Sequence, residues 1–265
     1  MSLPPAVQAF DALAPRFDER FGEWKSVAAQ RAAVRRALLR AFPEGSTLLE
    51  LGGGTGEDAL FLAARGRRVT LTDGSPRMVA LAGQKAAREG LADLVSAERV
   101  SLEELEAFAS GPFDGCFSNF ASLNCVEDLP AVGRALARLL RPGAHALLVV
   151  FGPCCPGEML VETLRGRPRA ALRRLSRRRV AARVSGHAFT VGYPGPRAYA
   201  RAFGPALELR SVRGIGIAVP PSAAEPEISR FPRVLAALES LDRLLSRPLA
   251  LLGDHLLLDF RRRRD

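Results

Sequence analysis

Between residues 47 and 78 the chain reads TLLELGGGTGEDALFLAARGRRVTLTDGSPRM, with three consecutive glycines between an apolar run and a run of helical spacing. Thr47–Leu51 and Arg68–Thr72 each have the length and apolar character of a buried parallel strand, and Glu57–Arg65 between them has the spacing of a helix. Strand, glycine turn, helix and strand make a βαβ unit, which commits the chain to an α/β architecture.

The rest of the chain extends that unit. Phe10–Phe21 and Val27–Phe42 carry helical apolar spacing, and Pro43-Glu44-Gly45 stops the second. Ser75-Pro76 caps and opens a helix that runs to about Glu89-Gly90. Leu94–Val100 reads as a third strand, Leu102–Phe108 as a short helix, GPFDGCFSNF as a turn into a fourth strand, Leu129–Leu140 as a helix, and Ala144–Phe151 as a fully apolar fifth strand. Beyond it the rhythm changes: residues 153–205 hold one helix-like stretch, Arg169–Arg178, and one strand-like stretch, Val180–Tyr193, among proline, glycine and arginine clusters. Candidate strands at Leu207–Val219 and in HLLLDF, with a helix at Pro232–Ser246 between them, fit an antiparallel edge. The expected fold is a doubly wound, seven-stranded, mostly parallel sheet with an antiparallel last strand. Its expected segments are N-terminal helices (1–45), a ligand-binding core (46–152), an inserted lid (153–205) and closing elements (206–265).

Composition narrows the function. At 265 residues and 48% hydrophobic the chain can bury a full core without staples. Cys116, Cys125, Cys154 and Cys155 have no C-x-x-C spacing, so neither a disulfide framework nor a zinc site is expected. The start MSLPPAVQAF lacks the basic and apolar regions of an export signal, and no apolar run is long enough to span a membrane, which predicts a soluble cytoplasmic protein. Net charge is +10, and Thr163–Leu207 holds eleven arginines and no acid. Such a segment suits an anionic small acceptor under a lid, the phosphates of RNA, or merely a solvated face.

The glycine loop argues against a phosphate ligand. A dinucleotide turn wants G-x-G-x-x-G, and Glu57 stands at its last glycine; a phosphate-binding loop wants Gly-Lys-Ser/Thr, and no lysine is near. The stretch E-L-G-G-G-T-G, Glu50–Gly56, resembles the first motif of class I S-adenosylmethionine-dependent methyltransferases, and Asp73 ending the second strand resembles their ribose-binding acid. FDALAPRFDERF is similar to the entry helix of the small-molecule members, FDGCFSNFASLNCVEDL to their fourth strand and loop, and LARLLRPGAHALLVV to their next helix, turn and strand.

The resemblance implies S-adenosyl-L-methionine as cofactor, with Glu50, Gly52, Gly54 and Thr55 on its methionine side, Asp73 on the ribose, and Gly74 and Met78 near sugar and adenine. Asp73 reads alternatively as a cap of the helix from Pro76, and Met78 as a core residue. The acid many relatives carry after the third strand is absent, so contacts from Val100 and Ser101 are expected instead. Asn119 and Phe120 are similar in position to residues lining cofactor and acceptor; a strand-end Asn satisfying loop amides is the plainer reading. The implied acceptor is a small molecule, methylated on oxygen or nitrogen, of secondary-metabolite or acidic, lipid-like type. An RNA methyltransferase and a cofactor-binding protein without catalysis are the alternatives. As catalytic candidates, His187 and Tyr193 lie in the expected lid, whereas His145 and His255 open strands and read as structural.

Overall fold

The computed structural model describes residues 3–264; the outermost residues of the first and last expected segments, 1, 2 and 265, lie outside the described residues. Strands run β1 (Thr47–Leu51), β2 (Arg68–Asp73), β3 (Val95–Arg99), β4 (Phe113–Ser118), β5 (Leu140–Phe151), β6 (Val180–Val184), β7 (His187–Val191), β8 (Leu207–Ile215) and β9 (His255–Arg262). Helices are α1 (Pro5–Leu13), α2 (Phe17–Gly22), α3 (Lys25–Ala41), α4 (Glu57–Ala63), α5 (Pro76–Arg88), α6 (Leu129–Leu139), α7 (Pro156–Leu164), α8 (Pro168–Ala171), α9 (Pro196–Phe203) and α10 (Pro232–Leu245).

Seven strands form one sheet in the order β3-β2-β1-β4-β5-β9-β8. Strands β1 to β5 pair in parallel, and β9 runs antiparallel between β5 and β8, as the alternation of elements predicts. The order reverses between β1 and β4, so their carboxyl ends open a crevice at the switch point, where ligands of open α/β sheets bind.

Side chains along each strand alternate between two cores. Leu49, Leu51, Cys116, Leu148 and Leu258 face α6 and α9, whereas Leu48, Phe117, Leu147 and Leu257 face α3, α4 and α5. Close packing decides at least one residue: a methyl at Gly115 on β4 would lie 2.3 Å from Phe42 at the end of α3, so this strand position must be bare.

Several expected elements differ in detail. Phe10–Phe21 falls across the end of α1, a 3-10 turn (Ala14–Arg16) and α2 rather than one helix, and β5 starts at Leu140 rather than Ala144. The stretch Val180–Tyr193 is two strands, a β6–β7 hairpin turning at Ser185 and Gly186. The expected helix Arg169–Arg178 is only the single turn α8 followed by a 3-10 turn, Arg173–Leu175. Strand β8 stops at Ile215 because the backbone turns to present the N–H groups of Gly216, Ile217, Ala218 and Val219 to the Asp242 carboxylate. Helix α9 packs into the main core through Tyr199 and Phe203, so this part of residues 153–205 is bound to the sheet.

Tyr199 is fully buried, in edge contact with Phe203, and its hydroxyl has no hydrogen-bond partner. Folding strips that hydroxyl of water without replacement. Tyr199→Phe should therefore raise stability by about 1 kcal/mol in urea denaturation, and an equal loss would mean the hydroxyl is bonded.

Candidate cofactor and acceptor site

The three glycines are bare for different reasons. A methyl at Gly52 would lie 2.6 Å from Ser122 Cβ in the loop after β4, and one at Gly53 would lie 2.5 Å from Leu71. Protein packs against both positions, and Gly52 is also left-handed, at φ +61°. Gly54 has φ +56°, a left-handed conformation that side chains disfavour, and nothing lies within 4 Å of where its Cβ would stand. Only this glycine faces open space.

Asp73, half-buried at the end of β2, holds the turn in place. Its Oδ2 accepts the Gly54 N–H at 2.9 Å and its Oδ1 accepts the Ser75 N–H at 2.8 Å. Each oxygen keeps a further lone pair for a ligand hydroxyl. Burial raises the Asp73 carboxyl above its ordinary range, the two N–H groups oppose that, and Asp11 adds to it. Ser75, not Asp73, caps α5: its Oγ accepts the Met78 N–H at 3.1 Å.

Glu50, 2% exposed on β1, has one carboxylate oxygen with no partner. Burial pushes its carboxyl well above the usual range, with Asp58 adding to the rise and Arg31 pulling the other way. An orphaned acceptor beside a bare turn suits a ligand that brings its own donors, such as an ammonium group. Glu57 and Asp58 at the start of α4 are answered by cations: Arg35 meets Asp58 at 2.6 Å, Lys85 meets Glu57 at 2.8 Å, and Arg31 meets Glu57 at 3.6 Å. Repulsion of a phosphate by these acids is therefore largely cancelled. The bare Gly54 and the free capacity of Asp73 define the site more firmly than the acids do.

Helix α1 covers the turn. Its Val7 lies where a methyl on Gly74 would be, 2.7 Å away, and its Asp11 accepts the Ser75 hydroxyl at 2.7 Å. Asp18 of α2 accepts the Thr55 hydroxyl at 2.7 Å, and a cavity of about 480 Å³ between α2 and α3 reaches Asp18, Arg31 and Glu57. The hairpin packs on α1 through Phe189 and Val191 against Ala9 and Phe10.

The loop after β4 is strained. Phe120 and Ala121 have φ of 54° and 66°, costing of order 1 kcal/mol each for non-glycines. Asn119 holds them: its Oδ1 accepts the Phe120 N–H, and its Nδ2 donates to Asp58. Asn124 then ties this loop outward, accepting the Phe151 N–H at 2.8 Å and donating to Gly192 O at 2.7 Å. Phe120 sits under the Arg31 guanidinium and edge-on to His255, which in turn stacks on Phe151 at 4.8 Å; Tyr193 is 6.1 Å from Phe151.

Beneath these rings lies a buried ionic cluster. Arg174, 5% exposed, binds Asp254 at 2.6 Å and Glu158, and lies over Phe151. Cys155, Glu158 and Asp254 stand close enough for a metal, but the guanidinium already answers both carboxylates. Burial pushes the Cys155 thiol up to about 12. Gln30 on α3 joins the cluster to His255.

Among the expected site residues, Glu50, Gly52, Gly54, Thr55, Asp73 and Gly74 converge on the turn. Met78 is buried in α5, and Ser101 accepts the Glu104 N–H as a helix cap. The Val100 N–H donates to Asp73 O. His187 is exposed at the start of β7, whereas Tyr193 reaches the aromatic group. Gln30, Arg31, Asn124, Arg174 and His255 lie in the site without having been singled out for it. "SLN" in the fourth-strand loop was the one local hint of Asn124.

The seven-stranded order and the carboxyl-end glycine turn are those of the class I methyltransferase fold, and residues 48–143 match the family described as methyltransferase domain. Malonyl-[acyl-carrier protein] O-methyltransferase of Serratia marcescens is 32% identical over 152 residues, 56% of this chain and 54% of that protein. The tRNA 5-carboxymethoxyuridine methyltransferase of Escherichia coli K12 is 29% identical over 146 residues, 54% of this chain and 56% of that protein. The chain thus spans about half the length of each. The CcbJ methyltransferase from Streptomyces caelestis shares the fold at a TM-score of 0.63 and 17% identity, over 96% of this chain and 98% of that one.

Because Glu50 favours its protonated form in the fold, its ionisation costs stability. The cost appears as pH rises past the ordinary carboxyl value and levels off above the raised one. Glu50→Gln should therefore raise the melting temperature of the free protein at pH 7–8 and leave it nearly unchanged at pH 4, as read by thermal unfolding across pH.

Proposed function

We propose that this protein is an S-adenosylmethionine-dependent methyltransferase acting on a small-molecule acceptor. Asp73 carries the reading: a strand-end carboxylate with free lone pairs, bonded to Gly54, the one of the three consecutive glycines that faces open space. The ribose hydroxyls would donate to Asp73, and the amino acid end would lie along Gly52–Thr55 with its ammonium toward the unpartnered oxygen of Glu50. Val7, Gly74 and Met78 would flank the base. When bound, the cofactor supplies an electrophilic methyl group on a sulfonium. The chain's own work is then to hold the acceptor at near-attack distance and keep water out. Helix α1 and the β6–β7 hairpin are suited to the second task, since they meet over the carboxyl edge.

For the acceptor, the half-buried rings of Phe120, Phe151 and Tyr193 favour a small, largely apolar molecule, and Arg31 over Phe120 favours an acidic one. Of the eleven arginines in 163–207, nine are exposed and Arg174 is buried in ion pairs. The exposed ones keep an RNA substrate as the second reading, which the relative acting on tRNA also favours. RNA binding through several phosphates would weaken steeply with salt, and binding of a one- or two-charge acceptor would not.

Calorimetry tests the cofactor. S-adenosylmethionine should bind and NADH should not, and Asp73→Ala should weaken binding at least tenfold, since two charge-assisted bonds of about 1.5–3 kcal/mol each are removed. Micromolar NADH binding without S-adenosylmethionine binding would overturn the assignment.

A further inference from the structure

We propose that His255 is the general base of an acceptor site lined by Phe120, Phe151 and Tyr193, and that this site takes a planar acceptor bearing a weakly acidic hydroxyl, methylated on oxygen. The proposal rests on the methyltransferase reading above.

Position is the first argument. Strand β9 runs antiparallel to β5, so its first residue, His255, pairs with Phe151 at the carboxyl edge of the parallel strands. That is the edge on which Gly54 and Asp73 open. Phe120, in the strained loop that touches the glycine turn through Ser122, meets the His255 ring edge-on at 5.9 Å. Two half-buried aromatic rings, Phe120 and Phe151, thus meet the imidazole, and a third, Tyr193, meets Phe151 at 6.1 Å. Stacking between such rings selects a flat ligand.

Hydrogen bonding is the second. The Gln30 amide donates from Nε2 to Asp254 Oδ2 at 3.2 Å and to Pro220 O at 3.4 Å, both pure acceptors. Its Oε1 must therefore be the atom facing His255 Nδ1 at 3.0 Å, and it requires a proton there. Asp254 Oδ2, 3.5 Å from the same nitrogen, favours that proton too. The remaining nitrogen, Nε2, is the bare one: it makes no hydrogen bond among the described residues and is not sealed from the surface. A fixed tautomer with its lone pair unspent is what a base needs.

Charge is the third. The groups against His255 are Asp254, the residue before β9, Gln30 on α3, Arg174 from the segment after α8, and the neutral rings of Phe120 and Phe151, with Arg31 one step further, over Phe120. Cys155 and Glu158 lie one step further, on Arg174 and Asp254. Burial holds the imidazole below its ordinary range, Asp254 opposes this and Arg174 reinforces it, so the ring is neutral and ready to accept a proton near pH 7. Burial would raise the Asp254 carboxyl, but the imidazole when charged, the Arg174 guanidinium and the Gln30 amide hold it below the usual range, and Arg174 and Gln30 remain when the ring is neutral. The carboxylate can therefore stabilise the imidazolium once formed. In the step itself the acceptor hydroxyl gives its proton to Nε2 as its oxygen bonds the methyl carbon, and the electrons of the broken sulfonium–methyl bond remain on sulfur as a neutral thioether. The imidazolium then returns the proton to solvent.

The test is nitrogen NMR of the full chain labelled with ¹⁵N-histidine, the three histidines assigned through His145→Asn, His187→Asn and His255→Asn. His255 should show a protonated Nδ1 and a bare Nε2 from pH 6 to 8. With S-adenosylhomocysteine present, 4-hydroxycinnamate should move the Nε2 resonance upfield as its hydroxyl donates, while cinnamate, which lacks the hydroxyl, should leave it in place. A proton on Nε2, or no response to 4-hydroxycinnamate, would overturn the proposal. Calorimetry with S-adenosylhomocysteine on the same sample reads the cofactor assignment separately, so failure of one is distinguishable from failure of the other.

Discussion

The pair of hydrogen bonds from Gly54 and Ser75 to the Asp73 carboxylate organises the site. Without it the turn after β1 and the turn after β2 would be independent loops. With it, the backbone opened by Gly54 and the start of α5 are held against one acidic group at the switch point of the sheet. The register of β1 on β2, Leu51 opposite Thr72, brings the two turns to the same level, so the βαβ unit delivers a site as soon as it folds.

A second organising centre is the buried Arg174 with Glu158 and Asp254. Removing one partner from such a group costs about 3–5 kcal/mol, because a charge is left buried and unanswered. The cluster ties α7, the segment after α8, the start of β9 and, through Gln30, helix α3 into one wall beside the candidate acceptor site. The basic segment is thus anchored by one of its own arginines. Arg165, Arg167 and Arg173 also meet acids outside the acid-free run, at Glu227, Glu162 and Glu158.

Much of this architecture is legible in the chain. The parallel strands announce themselves as short apolar runs alternating with helical spacing, and Ser75-Pro76 marks a helix start whose cap bond is present. Elements set by local chemistry read well for that reason. The hairpin does not: its turn at Ser185-Gly186 lacks the Asn-Gly or Asp-Gly signal, so two strands look like one. The glycine turn and Asp73 are legible because their residues lie within one βαβ unit. Gln30, Arg174, Asp254 and His255 come from distant segments, and a histidine that opens a strand looks structural until its neighbours are known. His187 illustrates the converse, since its place in the basic segment says nothing of the direction it faces, which is toward solvent.

The central claim is that one ligand joins the glycine turn to Asp73. A crystal structure of the protein with S-adenosylhomocysteine tests it most directly. The ribose hydroxyls should lie on the Asp73 carboxylate, with the ligand passing over Gly54 and its sulfur directed toward Phe120. Density for the ligand in the cavity of about 330 Å³ between α3, α10 and β8, with the glycine turn empty, would contradict it.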